Sequence, residues 1–159
     1  MTMTSEVRKQ QTDSGHAEST ARGLVQIIPL LDRWVQMTLV QNEETDISLR
    51  QLAVLEQIAS NGATPGEIAR SLSVTPAVIT GLIDRLERRG FVRRLDSQFD
   101  RRRVHLELTI SGDDARVQAN RAIVERMEQQ FADLHENELG AIDDAVALLS
   151  RVLLATPQI

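Results

Sequence analysis

Eight arginines stand between Arg85 and Arg103: Arg85, Arg88, Arg89, Arg93, Arg94, Arg101, Arg102 and Arg103. The only acids among those nineteen residues are Glu87, Asp96 and Asp100, so the stretch carries a charge of +5. The whole chain is −5, which leaves −10 for everything else. A guanidinium is permanently charged, weakly hydrated and presents a planar fork of donors that matches phosphates and guanine edges. Concentrating that group on one local structure of an acidic chain points to a polyanion as partner, and the partner expected is double-stranded DNA.

Other chemistries find few residues to carry them. His16, His105 and His135 fall on a terminal stretch, a strand and a helix end, with no ligand spacing between any pair. There is no cysteine, so neither a metal nor another cofactor is expected. The sequence contains no glycine-rich phosphate loop, nucleophile motif or clustered carboxylate pair. Glu43-Glu44 and Asp143-Asp144 read as solvated charges. An enzyme is not expected.

The elements that must position the arginines are marked by caps and stops. Thr75-Pro76 opens a helix that runs to Arg89, with Val78, Ile79, Leu82, Ile83 and Leu86 expected inward, and Gly90 ends it. Phe91–Leu95 and Arg103–Thr109 read as strands, the second alternating Val104, Leu106 and Leu108 with Arg103, His105 and Glu107. Asp96–Arg102 is the charged loop between them. Upstream, Ser48 with Gln51 forms a capping-box pattern for a helix burying Leu52, Leu55, Ile58 and Ala59, stopped by Asn61-Gly62. Thr64-Pro65-Gly66-Glu67 then opens a short helix ending near Leu72, followed by the connector Ser73-Val74. Two short helices, a tight turn, a second helix and a hairpin make a winged helix-turn-helix. The fold class expected is mainly α with a small β-hairpin wing.

The flanks read differently. With 159 residues, many aliphatics and only three Phe, one Trp and no Tyr, the chain suits helix packing in one domain with extensions. Residues 1–17 lack periodicity and are expected to form a disordered, mobile tail. Over 18–46 the stripe Ala21, Leu24, Ile28, Leu31, Val35 and Leu39 is helical, with a kink or break expected at Pro29. Trp34 is expected to pack against helices or a partner chain. Over 111–159, Ser111 with Asp114 caps one helix and Asn137 caps the last, each with an apolar stripe. One small head (47–110) cannot bury these stripes, so the segments 18–46 and 111–159 are read as a helical dimerisation domain. No run approaches the length of a membrane span and the polar N-terminus is no signal peptide, so a soluble, cytoplasmic homodimer is expected.

This order of elements resembles the MarR family of bacterial transcriptional regulators, and the residues match as well. TPAVITGLIDRLERRGFVRR (75–94) is similar to that family's recognition helix and first wing strand. DRRRVHLELT (100–109) resembles its wing motif, and the run 49–55 its second helix. The likeness covers about 20–155. It implies a homodimer with a winged helix on each subunit, regulating transcription and often responding to small phenolic or other aromatic effectors. It also implies that Arg102 enters the minor groove while Asp100 orients the wing arginines by a salt bridge.

Each site residue has a chemical reason. The reading helix offers Thr75, Pro76, Ala77, Thr80 and Arg85 on its exposed side. Thr75 reads as a cap whose hydroxyl could also meet a phosphate. Thr80 is one turn further in, with no capping duty. Pro76 or Ala77 suits a thymine methyl, and Arg85 a phosphate, with Asp84–Arg88 as the plain helical pair. Gly81 lacks a side chain to reach bases. On the wing, Arg94, Arg101, Arg102 and Arg103 are the candidates, although Arg93 and Arg94 alternate and only one of them can face DNA. An effector is expected near Leu31 and Trp34. The rival readings are a winged-helix protein-interaction module without DNA binding and, with no supporting constellation, a helical enzyme.

Overall fold

The computed structural model describes the backbone of residues 3–42, 46–61, 64–96 and 104–155, and the side chains of these except 3–14, 61 and 96. The described residues form six helices and one antiparallel hairpin. In chain order they are α1 (Met3–Gln41), α2 (Leu49–Asn61), α3 (Pro65–Ser71), α4 (Pro76–Arg88), β1 (Val92–Asp96), β2 (Val104–Leu108), α5 (Ile110–Phe131) and α6 (Glu136–Leu154). No helix among the described residues is long and apolar enough to cross a membrane.

The chain divides into two units, Met1–Met37 and Thr38–Ile159. The first is helical, and its helix runs through two places that the sequence alone reads otherwise. Residues 3–17, read as a mobile tail, belong to α1, and the helix is not broken at Pro29. Adding residues to an existing helix is cheap once the nucleus is formed, and between 3 and 17 there is one glycine, Gly15, and no proline. Pro29 removes one backbone bond, which the helix carries on either side. Of the expected stripe in this unit, Leu24 and Val35 are half-buried while Ala21, Ile28 and Leu31 are exposed.

The second unit holds the core. Leu52, Val54, Leu55 and Ile58 from α2 meet Ile68 and Ala69 from α3 and Ile79, Leu82, Ile83 and Leu86 from α4. Leu39 and Ile47, together with Val92 and Leu106 from the hairpin and Ala115 and Ala119 from α5, complete the buried apolar set. Val78 and Ala59 sit beside these stripes and are exposed, because each is one residue off the buried period. Nothing on α6 is buried, and its Val146, Val152, Leu153 and Leu154 stand open.

Local chemistry sets the boundaries. Ser48 N donates to Gln51 Oε1 at 2.9 Å and Gln51 N to Ser48 Oγ at 3.3 Å, the reciprocal box that opens α2. Thr64 and Glu67 do the same for α3, at 2.8 and 3.4 Å. After α4, Gly90 adopts φ +75°, and the N–H groups of Gly90 and Phe91 donate to Glu87 O and Leu86 O, both at 2.9 Å. That left-handed stop costs glycine nothing, since it has no Cβ to clash. Two caps differ from expectation. Thr109, not Ser111, caps α5 by accepting from Gly112 N at 3.0 Å. His135, not Asn137, precedes α6, its N–H donating to Glu138 at 2.9 Å.

The hand-over from wing to α5 is tight. The Thr109 hydroxyl also donates to Gly90 O at 2.6 Å, and Thr109 N donates to Phe91 O at 3.0 Å. Thr109 therefore ends the strand, caps the helix and ties both to the stop of α4. Gly112 lies so close to this joint that a Cβ there would stand 1.9 Å from Phe91 O. Further along α5, Arg116 reaches Glu56 of α2 at 3.2 Å and Asp113 at 2.8 Å, and Asn120 donates to the same Glu56. The hydrogen bond to Asp113, with help from Glu56, raises the Arg116 pKa above its already high ordinary value.

Candidate nucleic-acid interface

Helix α4 buries the stripe Ile79, Leu82, Ile83 and Leu86, which turns its other side to solvent. Thr75, Pro76, Ala77, Thr80, Arg85 and Arg88 are all exposed. The first turn is held by Pro76 at the start of the helix, and its free N–H groups make this end suited to anions. Thr75 stands at the cap position but its side chain makes no cap hydrogen bond. Its hydroxyl is thus unspent on the helix and stays available to a phosphate.

Thr80 carries a local bond that is not a cap: its Oγ1 donates to Pro76 O at 2.9 Å. The proton is committed, so outward the hydroxyl offers only lone pairs, fitted to accept from a base amino group. Arg85 folds back along the helix, its Nε donating to Gly81 O at 3.2 Å. A Cβ on Gly81 would meet Arg85 Nη2 at 4.0 Å. The guanidinium therefore lies over the place a side chain at 81 would occupy, with its terminal nitrogens left for a ligand.

The five described arginines of the cluster sort into two groups. Arg89 donates to Asp46 O at 2.5 Å and stacks over the Phe91 ring at 4.7 Å. Arg93 pairs with Glu107 across the hairpin at 2.5 Å. Arg94 bridges Asp84 at 2.5 Å and Glu87 at 3.3 Å. Among the described residues, Arg85 and Arg88 have no carboxylate partner, so the free positive charge sits on the exposed side of α4. The pair Asp84–Arg88 does not form, because Asp84 is taken by Arg94.

Arg94 is exposed and is set by the hairpin register. Its charge and position suggest the DNA-facing wing, yet the hairpin register sets Arg94 opposite Leu106, and Val92 opposite Leu108. Side chains two apart on a strand share a face. Arg94 therefore belongs to the same face as buried Val92 and Leu106, the face toward α4. The signal is present in the sequence as the i, i+2 spacing from Val92. Arg101, Arg102, Arg103 and Asp100 lie outside the described residues.

Among the described residues of the second unit, three clefts stand out. One of about 490 Å³ lies between α2 and the turn into α4, lined by Arg50, Ala53, Val74, Val78 and Leu82 among others. A second of about 500 Å³ runs along β2 and the start of α5, and a third of about 1110 Å³ beside α3. None of the three includes Leu31 or Trp34, the residues expected at an effector pocket. In the first unit Leu31 is exposed and Trp34 half-buried.

Comparison with known proteins agrees with this geometry. Residues 45–103, from the entry of α2 to the wing, match the model of the MarR family. The chain is 31% identical over 118 residues to the uncharacterized HTH-type transcriptional regulator Mb0904 of Mycobacterium bovis, covering 74% of this chain and 82% of that one. Among solved structures it is similar to the apo form of wild-type MarR from E. coli, with 28% identity, TM-score 0.70, and coverage of 84% of this chain and 96% of that one. It is also similar to FabT of Streptococcus pneumoniae, solved in complex with DNA, with 25% identity, TM-score 0.67, and coverage of 86% and 96%. A winged helix with two exposed arginines on its reading helix, matched over these lengths, makes this chain a member of the MarR family, a DNA-binding transcriptional regulator.

Proposed function

We propose that this regulator is a homodimeric repressor that lays α4 of each subunit in the major groove of a pseudo-palindromic operator. The observation that carries this is the exposed side of α4. There, among the described residues, Arg85 and Arg88 have no carboxylate partner, while Asp84 and Glu87 are occupied by Arg94. The helix is 13 residues long, about 20 Å at ~1.5 Å per residue, which suits one groove crossing. Two heads would read half-sites about one turn, ~34 Å, apart.

In this reading Thr80 accepts from a base, Pro76 or Ala77 touches a thymine methyl, and the open Thr75 hydroxyl and Arg85 meet phosphates. On the wing, Arg102 enters the minor groove with Arg101 and Arg103 beside it, and Asp100 orients them. Dimer formation is supported by the apolar residues that α1 and α6 leave exposed, such as Ile28, Leu31, Val152 and Leu153. A small aromatic effector near Leu31 and Trp34 would release DNA if it bound better to a head spacing that mismatches the operator. The site of action is the cytoplasm, where the DNA is.

The test is selection of bound duplexes from random DNA, followed by titration of the selected duplex at several salt concentrations. Saturable, strongly salt-dependent binding with a two-fold symmetric consensus supports the reading. Binding to no duplex overturns it.

A further inference from the structure

We propose that Arg94 is a positioning residue for DNA binding, a strut that fixes the wing against the reading helix, and that it does not touch DNA. The inference rests on the reading of α4 and the wing as the DNA-contacting surfaces. Three observations converge on it. The register places Arg94 opposite Leu106, on the hairpin face that turns toward the head. Its guanidinium spans two carboxylates one helical turn apart, Asp84 at 2.5 Å and Glu87 at 3.3 Å, and these are the only acids on α4. A planar fork can hold two carboxylates at once, where an ammonium would meet them as a point charge.

The other braces of the hairpin leave this task to Arg94. The pair of Arg93 and Glu107 ties β1 to β2 and so stiffens the ribbon without aiming it. Thr109 anchors the base of the ribbon to Gly90. Apolar packing of Val92 and Leu106 seats the ribbon on the head without directional bonds, and Arg94, opposite Leu106, adds the side-chain tie that sets its angle to α4. The distance from α4 to the wing tip decides whether both reach their grooves together. Arg94 also offsets part of the negative charge that Asp84 and Glu87 would otherwise present beside Arg85 and Arg88.

The test has an unusual sign. Asp84→Asn with Glu87→Gln removes two negative charges from a helix that faces DNA. If the acids only repelled phosphate, or if Arg94 were a phosphate contact held back by them, affinity for the selected duplex would rise. The strut predicts that it falls, about three- to tenfold, the range that partly exposed pairs support. Arg94→Gln should fall by a similar factor with the log–log salt slope unchanged, whereas loss of a phosphate contact would lower the slope by about 0.9. Adding Arg94→Gln to the double variant should cost little more, since all three changes break one connection. Tighter binding by the acid-free variant, or a slope lowered by about 0.9 in Arg94→Gln, overturns the strut. Because the wild-type protein is titrated alongside, failure of the DNA-binding reading is seen separately, as no salt-dependent binding by the wild type.

Discussion

Gly112 offers the sharpest test of how the wing is joined to α5. Substituting alanine adds one methyl group, which would stand 1.9 Å from Phe91 O, 2.7 Å from its carbonyl carbon and 3.0 Å from its Cα. All three are backbone atoms, so no side chain can swing aside. Restoring ordinary contact at 3.4 Å means moving the first turn of α5 about 1.5 Å from Phe91. That turn is held by Thr109 N to Phe91 O at 3.0 Å and by Gly112 N to Thr109 Oγ1 at 3.0 Å. Overpacking of this kind costs about 1–3 kcal/mol, and loosening one or two hydrogen bonds adds about 1 kcal/mol each. Gly112→Ala should therefore destabilise by about 2–5 kcal/mol, lowering the melting temperature by roughly 5–15 °C. Gly140→Ala is the control: it lies within α6, nothing is within 4 Å of its added Cβ, and it should stabilise by up to about 1 kcal/mol. Urea unfolding followed by circular dichroism measures both. A Gly112→Ala change below about 0.5 kcal/mol, or equal behaviour of the two variants, would refute the close approach.

Three further outcomes follow from the proposed interface. Arg102→Ala should weaken binding to the selected duplex more than tenfold, with the dimer mass in light scattering unchanged; full affinity would remove Arg102 from the groove. Arg85→Gln should weaken selected and scrambled duplexes alike and lower the salt slope by about 0.9, as for one lost phosphate; a loss confined to the selected duplex would make Arg85 a base contact. Leu153→Glu on the open side of α6 should shift the mass toward monomer in light scattering while the head keeps its fold, and an unchanged dimer would place the interface elsewhere.

Much of the fold is legible in the sequence because local chemistry and global packing agree. The boxes Ser48–Gln51 and Thr64–Glu67, the prolines after Thr64 and Thr75, and the Gly90 stop can be read directly, and each forms as expected. Thr109 escapes such a reading because strand alternation and capping compete for the same residue, and a threonine serves both. Residues 3–17 escape it because periodicity signals a helix through an apolar stripe, and their sequence carries none. The partners of Arg94 are missed when charge is counted before register. Once the strand is given period two from Val92, Arg94 must share its face, and a cation there needs the acids of α4. The fold of Arg85 back onto Gly81 O cannot be foreseen from composition, since it depends on the rotamer the side chain adopts.

The central claim is that the free positive charge of α4 and the wing grips DNA. The most direct measurement is the affinity of the wild-type protein for its selected duplex across salt concentration. With several phosphates neutralised per head, the log–log slope should be steep, about −0.9 for each. A flat slope, or no saturable binding, would contradict the account and favour a protein as the partner of this winged helix.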